Sequence, residues 1–141
     1  MKLASLAAAA LTLALPAFAQ TTQTLSYATA YGDPTFSLAD VACSDGTNGL
    51  LTQGYTTLGS LPNFPCIGGV YTVTGWNSAA CGTCYSVTYG DLSIAVLAVD
   101  SADGITASKD VMDILTGYQA DVLGMIEVTV TEVHASACGL S

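Results

Sequence analysis

Residues 81–100 read CGTCYSVTYGDLSIAVLAVD, and this stretch is the clearest indication of the fold class. Apolar and polar side chains alternate from Tyr85 to Tyr89, which is the two-residue period of a half-buried strand. Gly90-Asp91 follows as a two-residue turn, and Leu92 to Val99 is apolar enough for a strand that is buried on both faces. The stretch therefore predicts a β-hairpin whose second strand lies centrally in a sheet.

Three more strand-like runs lie before and after this hairpin, and a long irregular stretch from Thr35 to Gly69 separates the first run from the second. They span Leu25 to Tyr31, Tyr71 to Thr74 and Met125 to Val133. One helix is predicted, with Thr106 or Ser108 as its N-cap and Gly117 at its end. The chain is therefore expected to be mainly β with short helices.

The first 19 residues have the features of a secretory signal peptide. Lys2 is followed by an apolar run from Leu3 to Leu15 and by an Ala-x-Ala pattern that ends at Ala19. The run is shorter than the roughly 20 residues that a membrane-spanning helix needs, so no membrane anchor is expected. We expect a mature single domain over residues 20–141, located outside the cell or in the cell wall.

The charge balance excludes whole classes of partner. Only 9% of residues are charged, and after signal cleavage Lys109 would face 11 acidic residues. Nucleic acids and anionic membranes are recognised by clustered Lys and Arg, so neither is an expected partner. The composition favours a neutral, cationic or carbohydrate partner, and the absence of an Asn-x-Ser/Thr sequence predicts no N-glycosylation.

Five cysteines indicate a disulfide framework in a small secreted domain. They are Cys43, Cys66, Cys81, Cys84 and Cys138. Four of them can pair in several ways, and their spacing alone does not choose among the pairings.

Catalytic interpretations of these residues are weak. Cys81 and Cys84 have the spacing of a redox pair, but a strand pattern follows them, whereas a redox pair opens a helix. A papain-like nucleophile, a zinc site or a Ser/His/Asp triad would each depend on His134, the sole histidine, near the end of the chain. No catalytic residue, metal or cofactor is therefore expected.

Four segments together resemble the cerato-platanin family of small secreted fungal proteins. They are ACSDGTNGL at 42–50, FPCIGG at 64–69, GWNSAACGTC at 75–84 and VLAVD at 96–100. A closing ACGL at 137–140 agrees as well. The likeness covers almost the whole mature chain in the same order, so it is more specific than any one motif.

This resemblance implies a six-stranded, disulfide-stapled double-ψ β-barrel, related to expansins and to an inverting endoglucanase family. It also implies the disulfides Cys43–Cys81 and Cys84–Cys138. Cys66 departs from the family, which usually carries an aromatic residue there. We expect a monomer with Cys66 as a buried thiol; the alternative is a Cys66-linked dimer.

The resemblance further implies a secreted, non-catalytic protein that binds chitin-type N-acetylglucosamine oligomers or cell-wall polysaccharide. Expansin-like loosening and elicitation of plant defence, with a plant receptor as a further partner, belong to the same expectation. Carried over residue by residue, the carbohydrate-binding residues are Ser44, Asp45, Gly46, Asn48, Gly49, Asn77, Ser78 and Asp100.

The chemistry of these residues suits sugars. Asp and Asn offer paired contacts to vicinal hydroxyls, and Gly lets the backbone approach a ligand. The alternative is that Asp45-Gly46 and Asn48-Gly49 are only turn dipeptides. Asp100 is expected at a strand end facing solvent. Trp76 is either a stacking platform or a core residue, and we favour the core.

Two other functions stay open as alternatives. A polysaccharide hydrolase needs two carboxylates, one of them acting as an acid. In the related barrels that acid is the Asp of a His-Phe-Asp string, whereas this chain has Gly104-Ile105-Thr106, and Asp103 is the nearest substitute. The second alternative is an interface-active structural coat protein, which the low content of surface charge favours.

Overall fold

The structure, a computed structural model, describes residues 19–140. The predicted signal peptide falls outside these residues except for Ala19, so it stays a prediction. Among the described residues no helix is both long and apolar enough to cross a membrane.

Six strands form a closed β-barrel. They are β1 (Gln20–Tyr27), β2 (Ile67–Val70), β3 (Cys84–Tyr89), β4 (Leu92–Ser101), β5 (Ile105–Ala107) and β6 (Met125–Val133). Their order around the barrel is β1-β5-β2-β4-β3-β6, and β6 pairs with β1 to close it. The β1–β5 and β2–β4 pairs are parallel, and the other four pairs are antiparallel. The predicted fold class, a six-stranded double-ψ β-barrel with short helices, is confirmed.

The predicted hairpin is present. Gly90, at φ 60°, and Asp91 connect β3 to β4, and Tyr89 pairs with Leu92 across the turn. Burial differs along β4: residues 96–99 are completely buried, but Leu92 is exposed. The expectation of a strand buried on both faces therefore holds for its second half, where β2 and β3 flank it.

Two strand predictions were displaced. The first strand begins at Gln20 and ends at Tyr27, and Tyr71–Thr74 follows β2 outside any strand. β2 itself contains Gly68 and Gly69, which strand propensity disfavours. Glycine is needed at both positions because the backbones of β5 and of the end of β4 lie very close to β2. A Cβ on Gly69 would come within 2.7 Å of the carbonyl oxygen of Ser101.

Two disulfides staple the barrel as the resemblance implied. Cys43 is bonded to Cys81 and Cys84 to Cys138, and Cys66 is the free cysteine, half-buried. Apolar side chains fill the interior, with Ile126, Val128 and Val130 of β6 pointing inward in the predicted alternation.

The helical elements lie outside the barrel. They comprise α1 (Lys109–Thr116), α2 (Ala120–Leu123) and 3-10 turns at Thr29–Gly32, Leu38–Asp40, Leu58–Ser60 and Ala135–Cys138. Helix α1 ends at Gly117 in the left-handed conformation, as predicted. Ser108 is its N-cap residue by position, but the Ser108 hydroxyl donates to the carbonyl of Pro65 and does not cap the helix.

Candidate functional site

Two loops contain seven of the eight predicted binding residues, and a disulfide and two hydrogen bonds link these loops to each other. We call residues 43–49 and 75–81 the loop pair; the Cys43–Cys81 disulfide joins them. The Asn48 backbone N–H donates to Oδ1 of Asn77 over 2.8 Å, and Nδ2 of Asn48 donates to the Asn77 carbonyl over 3.0 Å. The loop pair is therefore a rigid unit, because side-chain and covalent links act at the same place.

The glycines of the loop pair are required by close packing. Gly46 has φ 85°, and a Cβ there would lie 2.7 Å from Oδ1 of Asn77. Gly49 is buried, and a Cβ there would overlap the carbonyl oxygens of Ser44 and Asp45. Both glycines thus serve the turns that their dipeptides predicted, and they also let the two loops meet.

Trp76 is a surface residue, so the prediction that it belongs to the core was wrong. It is 63% exposed. Trp76 lies in a turn that is closed by a hydrogen bond from the N–H of Ser78 to the carbonyl of Gly75. Its indole Nε1–H donates to Oδ1 of Asp45 over 2.7 Å. Water could satisfy an indole N–H at the surface, but here its partner is the exposed carboxylate of Asp45.

The two predicted serines make local hydrogen bonds. Ser44 is buried, and its carbonyl accepts the N–H of Leu51 over 2.9 Å. The Ser78 hydroxyl accepts the N–H of Ala80 over 3.2 Å. Both residues therefore help to hold the shape of the loop pair.

Asp100, the eighth predicted residue, lies near the end of β4 with both carboxylate oxygens engaged. Oδ1 accepts the N–H groups of Ala42 and Ser101, each over 2.9 Å. Oδ2 accepts the hydroxyl of Tyr31 over 2.9 Å. The expectation of a solvent-facing side chain with no structural role was wrong, because half-buried Asp100 anchors the residue that precedes Cys43.

Asp100 also lines a cleft of about 430 Å³. Tyr31, Phe36, Asp103 and Thr106 are also among the residues that line it. Burial and the negative charge of Asp100 raise the pKa of Tyr31 well above its ordinary value, so the phenol keeps its proton. The cleft thus combines aromatic surface with acceptors that have fixed positions, which is the composition of many small-ligand sites.

A second cleft, of about 420 Å³, adjoins the first. Residues 101–103 line both clefts, and Tyr71, Val73 and Thr74 form the remainder of the second. The Tyr71 hydroxyl lies 2.9 Å from Oγ1 of Thr21, which ties it to β1. Together the two clefts make a trough on both sides of residues 101–103.

Asp100 connects the trough to the loop pair through Ala42. Of the eight predicted residues, only Asp100 lines either cleft. Sequence reasoning missed Tyr31, Phe36 and Tyr71 as site residues and noted Asp103 only as a substitute acid. Asp103 could be noticed in the sequence because it lies three residues from Asp100. Tyr31 gave no sequence signal, because it lies 69 residues from Asp100, its hydrogen-bond partner.

The catalytic alternatives that depended on Cys and His find no support. Cys81 and Cys84 belong to different disulfides, so they do not form a redox pair. His134 is exposed and accepts the N–H of Ser136 through Nδ1 over 3.1 Å, as the cap of the last 3-10 turn. Residues 19–140 contain no group of three His, Cys, Asp or Glu side chains placed to hold a metal ion.

Comparison with known proteins gives consistent matches. The family model described as Cerato-platanin matches residues 23–140. The heat-stable 19 kDa antigen of Coccidioides immitis is 50% identical over 120 residues, covering 84% of this chain and 82% of that protein. The crystal structure of cerato-platanin 3 from M. perniciosa has a TM-score of 0.82 and 46% identity, covering 85% of this chain and 100% of the other. The solution structure of the fungal elicitor Cerato-Platanin has a TM-score of 0.74 and 36% identity, covering 82% and 95% respectively.

Proposed function

The chain belongs to the cerato-platanin family, and we propose that it acts outside the cell as a non-catalytic protein that binds chitin-type oligosaccharides. N-acetylglucosamine oligomers are the proposed ligand, and cell-wall polysaccharide is the proposed natural surface. Expansin-like loosening and elicitation of plant defence are part of the proposal. The elicitor activity is supported by the fungal elicitor at 36% identity.

One observation carries the proposal: Asp100 holds both the trough and the loop pair in place. Its carboxylate binds Tyr31 on the trough side and the N–H of Ala42 on the loop side. A sugar in the trough would meet acceptors and aromatic surface whose positions are already fixed. Preorganisation of this kind lowers the entropic cost of binding.

The charge distribution supports a neutral ligand for this surface. Lys109, the only Lys or Arg among residues 19–140, is paired with Asp113 over 3.0 Å and with Asp121 over 3.5 Å. Neither cleft is lined by a cation, so anionic ligands are disfavoured. Binding should depend on many hydrogen bonds, each worth about 0.5–1.5 kcal/mol net, with water competing for all of them.

A titration with N-acetylglucosamine oligomers, from the dimer to the hexamer, tests the proposal. We expect weak binding that strengthens with oligomer length, NMR shifts in the trough and the loop pair, and no shortening of the oligomer. Cellulose oligomers serve as a matched set without the N-acetyl group. Failure of every oligomer to bind would contradict the proposal.

Hydrolysis is a second candidate because Asp100 and Asp103 line the same cleft. An inverting glycosidase uses two such carboxylates on opposite sides of the bond. Thr106, which lines the same cleft, is a poor proton donor near neutral pH. Product analysis in the same titration decides: shortening that disappears in both Asp100→Asn and Asp103→Asn would establish an enzyme.

Interface activity is a third candidate, supported by a set of exposed apolar side chains around α2. They are Ile114, Tyr118, Val122, Leu123 and Met125. Monomeric proteins seldom expose a large continuous apolar patch without a use for it. If the candidate is right, Val122→Ser with Tyr118→Ser reduces the fall in surface tension that the protein causes at an air–water surface. An unchanged fall would exclude these side chains as its cause.

A further inference from the structure

Trp76 has an orientation that its surroundings fix before any ligand binds. Its indole N–H is bound to Asp45 over 2.7 Å. Its Cζ2 atom lies next to Gly46, so close that a Cβ on that residue would be 3.0 Å away. A side chain that is 63% exposed would ordinarily sample several rotamers. Here a hydrogen bond and a backbone contact hold the ring on the rigid loop pair.

Asp45 offers a second contact beside the ring. Its Oδ1 is used by Trp76, and Oδ2 has no hydrogen bond to any residue within 19–140. A carboxylate oxygen accepts strongly from a hydroxyl group. The pair therefore presents a flat apolar surface with an available acceptor at its edge.

This combination fits a pyranose ring, which has an apolar C–H face and hydroxyl groups around its rim. The trough is near, because Thr74, which lines the second cleft, precedes Trp76 by two residues. The family carry-over did not include Trp76, and its indole does not line either cleft.

We infer that Trp76 is a platform on which a sugar ring stacks. Asp45 holds the indole in position and accepts a hydrogen bond from a hydroxyl group of the same sugar. The inference rests on the proposed function and adds a subsite to it. An oligomer long enough to extend from the trough would place one pyranose ring on the indole.

The sequence contains a single tryptophan, so its fluorescence reports on this position alone. Excitation at the red edge of the absorption band avoids the tyrosines. On titration with the N-acetylglucosamine hexamer we expect a shift of the emission and weaker quenching by acrylamide. Calorimetry measures the affinity in parallel, because the variants without Trp76 lack the signal.

Four variants divide the roles. Trp76→Ala should bind the hexamer about tenfold more weakly, or about 1.4 kcal/mol, and Trp76→Phe should lose less because it retains an aromatic ring. Asp45→Ala should weaken binding and also increase the mobility of the indole, seen as lower fluorescence anisotropy. Tyr118→Ala is the matched control, since Tyr118 is an aromatic residue that is 84% exposed outside the site, and it should bind like the parent.

The outcomes separate this inference from the proposed function. If the hexamer binds by calorimetry while the emission and the quenching of Trp76 stay unchanged, the platform does not exist and the proposed function stands. Equal affinity of Trp76→Ala and the parent would lead to the same conclusion. If the parent binds no oligomer at all, the proposed function fails and the inference fails with it.

Discussion

The hydroxyl of Tyr31 donates to Oδ2 of Asp100 over 2.9 Å and so joins the first 3-10 turn to the end of β4. We predict that Asp100→Ala lowers both ligand binding and stability, because Tyr31 and the N–H of Ala42 lose their acceptor. Loss of one hydrogen bond to a charged carboxylate costs about 1.5–3 kcal/mol. Oligomer titration and urea unfolding measure the two effects. Tyr31→Phe is the control, since it removes one bond only; a variant Asp100→Ala as stable as the parent would show that the anchor contributes nothing.

Each disulfide should stabilise the fold by restricting the unfolded chain, and this stabilisation increases only slowly, as the logarithm of the length of the loop that it closes. Cys43–Cys81 spans 38 residues and Cys84–Cys138 spans 54. In the chain-entropy model each contributes about 4 kcal/mol. We expect Cys84→Ser with Cys138→Ser to lower the free energy of unfolding in urea by about this amount. Peptide mapping of the parent without reduction should recover both pairs, and a Cys81–Cys84 bond would contradict them.

Cys66 should be a slowly reacting thiol in a monomeric protein. Burial, together with the negative charge of Asp110, raises the pKa of this thiol. The thiolate is the reactive form, so a raised pKa leaves less of it at neutral pH. With a chromogenic disulfide reagent we expect slower modification than for free cysteine and a rate that increases with pH. A reducible dimer that Cys66→Ser abolishes would show that the thiol is exposed to a second chain.

The stability of the fold should depend on pH through Asp113. Hydrogen bonds from Lys109 and from the N–H of Ala120 hold the pKa of Asp113 below its ordinary value. A lowered folded-state pKa stabilises the fold above the unfolded-state pKa, about 3.9. That stabilisation is lost as the pH falls through the folded-state pKa.

We therefore expect Asp113→Asn to unfold at a lower temperature than the parent at neutral pH, and the difference to shrink in strong acid. Asn keeps the size of the side chain and an acceptor for Ala120, so the variant tests charge alone. The effect should be small because Lys109 is exposed to solvent. A difference that stays constant down to strong acid would exclude the ion pair as its source.

Local sequence patterns predicted those parts of the fold that local interactions determine. The β3–β4 hairpin and β6 follow from alternation over consecutive residues, and α1 follows from its apolar face and Gly117. Strand β2 did not follow, because its glycines are explained only by the closeness of β4 and β5. Tertiary packing thus overrode strand propensity at that position.

The same distinction applies to the candidate site. The loop pair was predicted as a set of residues because two of the segments that carry the family resemblance contain it. Trp76 was misjudged because its partner Asp45 lies 31 residues away in the chain. Propensity places an aromatic residue in the core, and only the fold reveals that a carboxylate meets the indole at the surface.

Closure of the barrel between β1 and β6 has a consequence for biosynthesis. Gln20 to Ser26 pair with Thr131 to Met125, so the first strand must wait for nearly the last residues of the chain. Such distant pairing delays folding until synthesis is almost complete. A truncation before Met125 would leave β1 and β3 with open edges able to pair with other chains. Export of an incomplete chain would therefore yield an aggregating sheet.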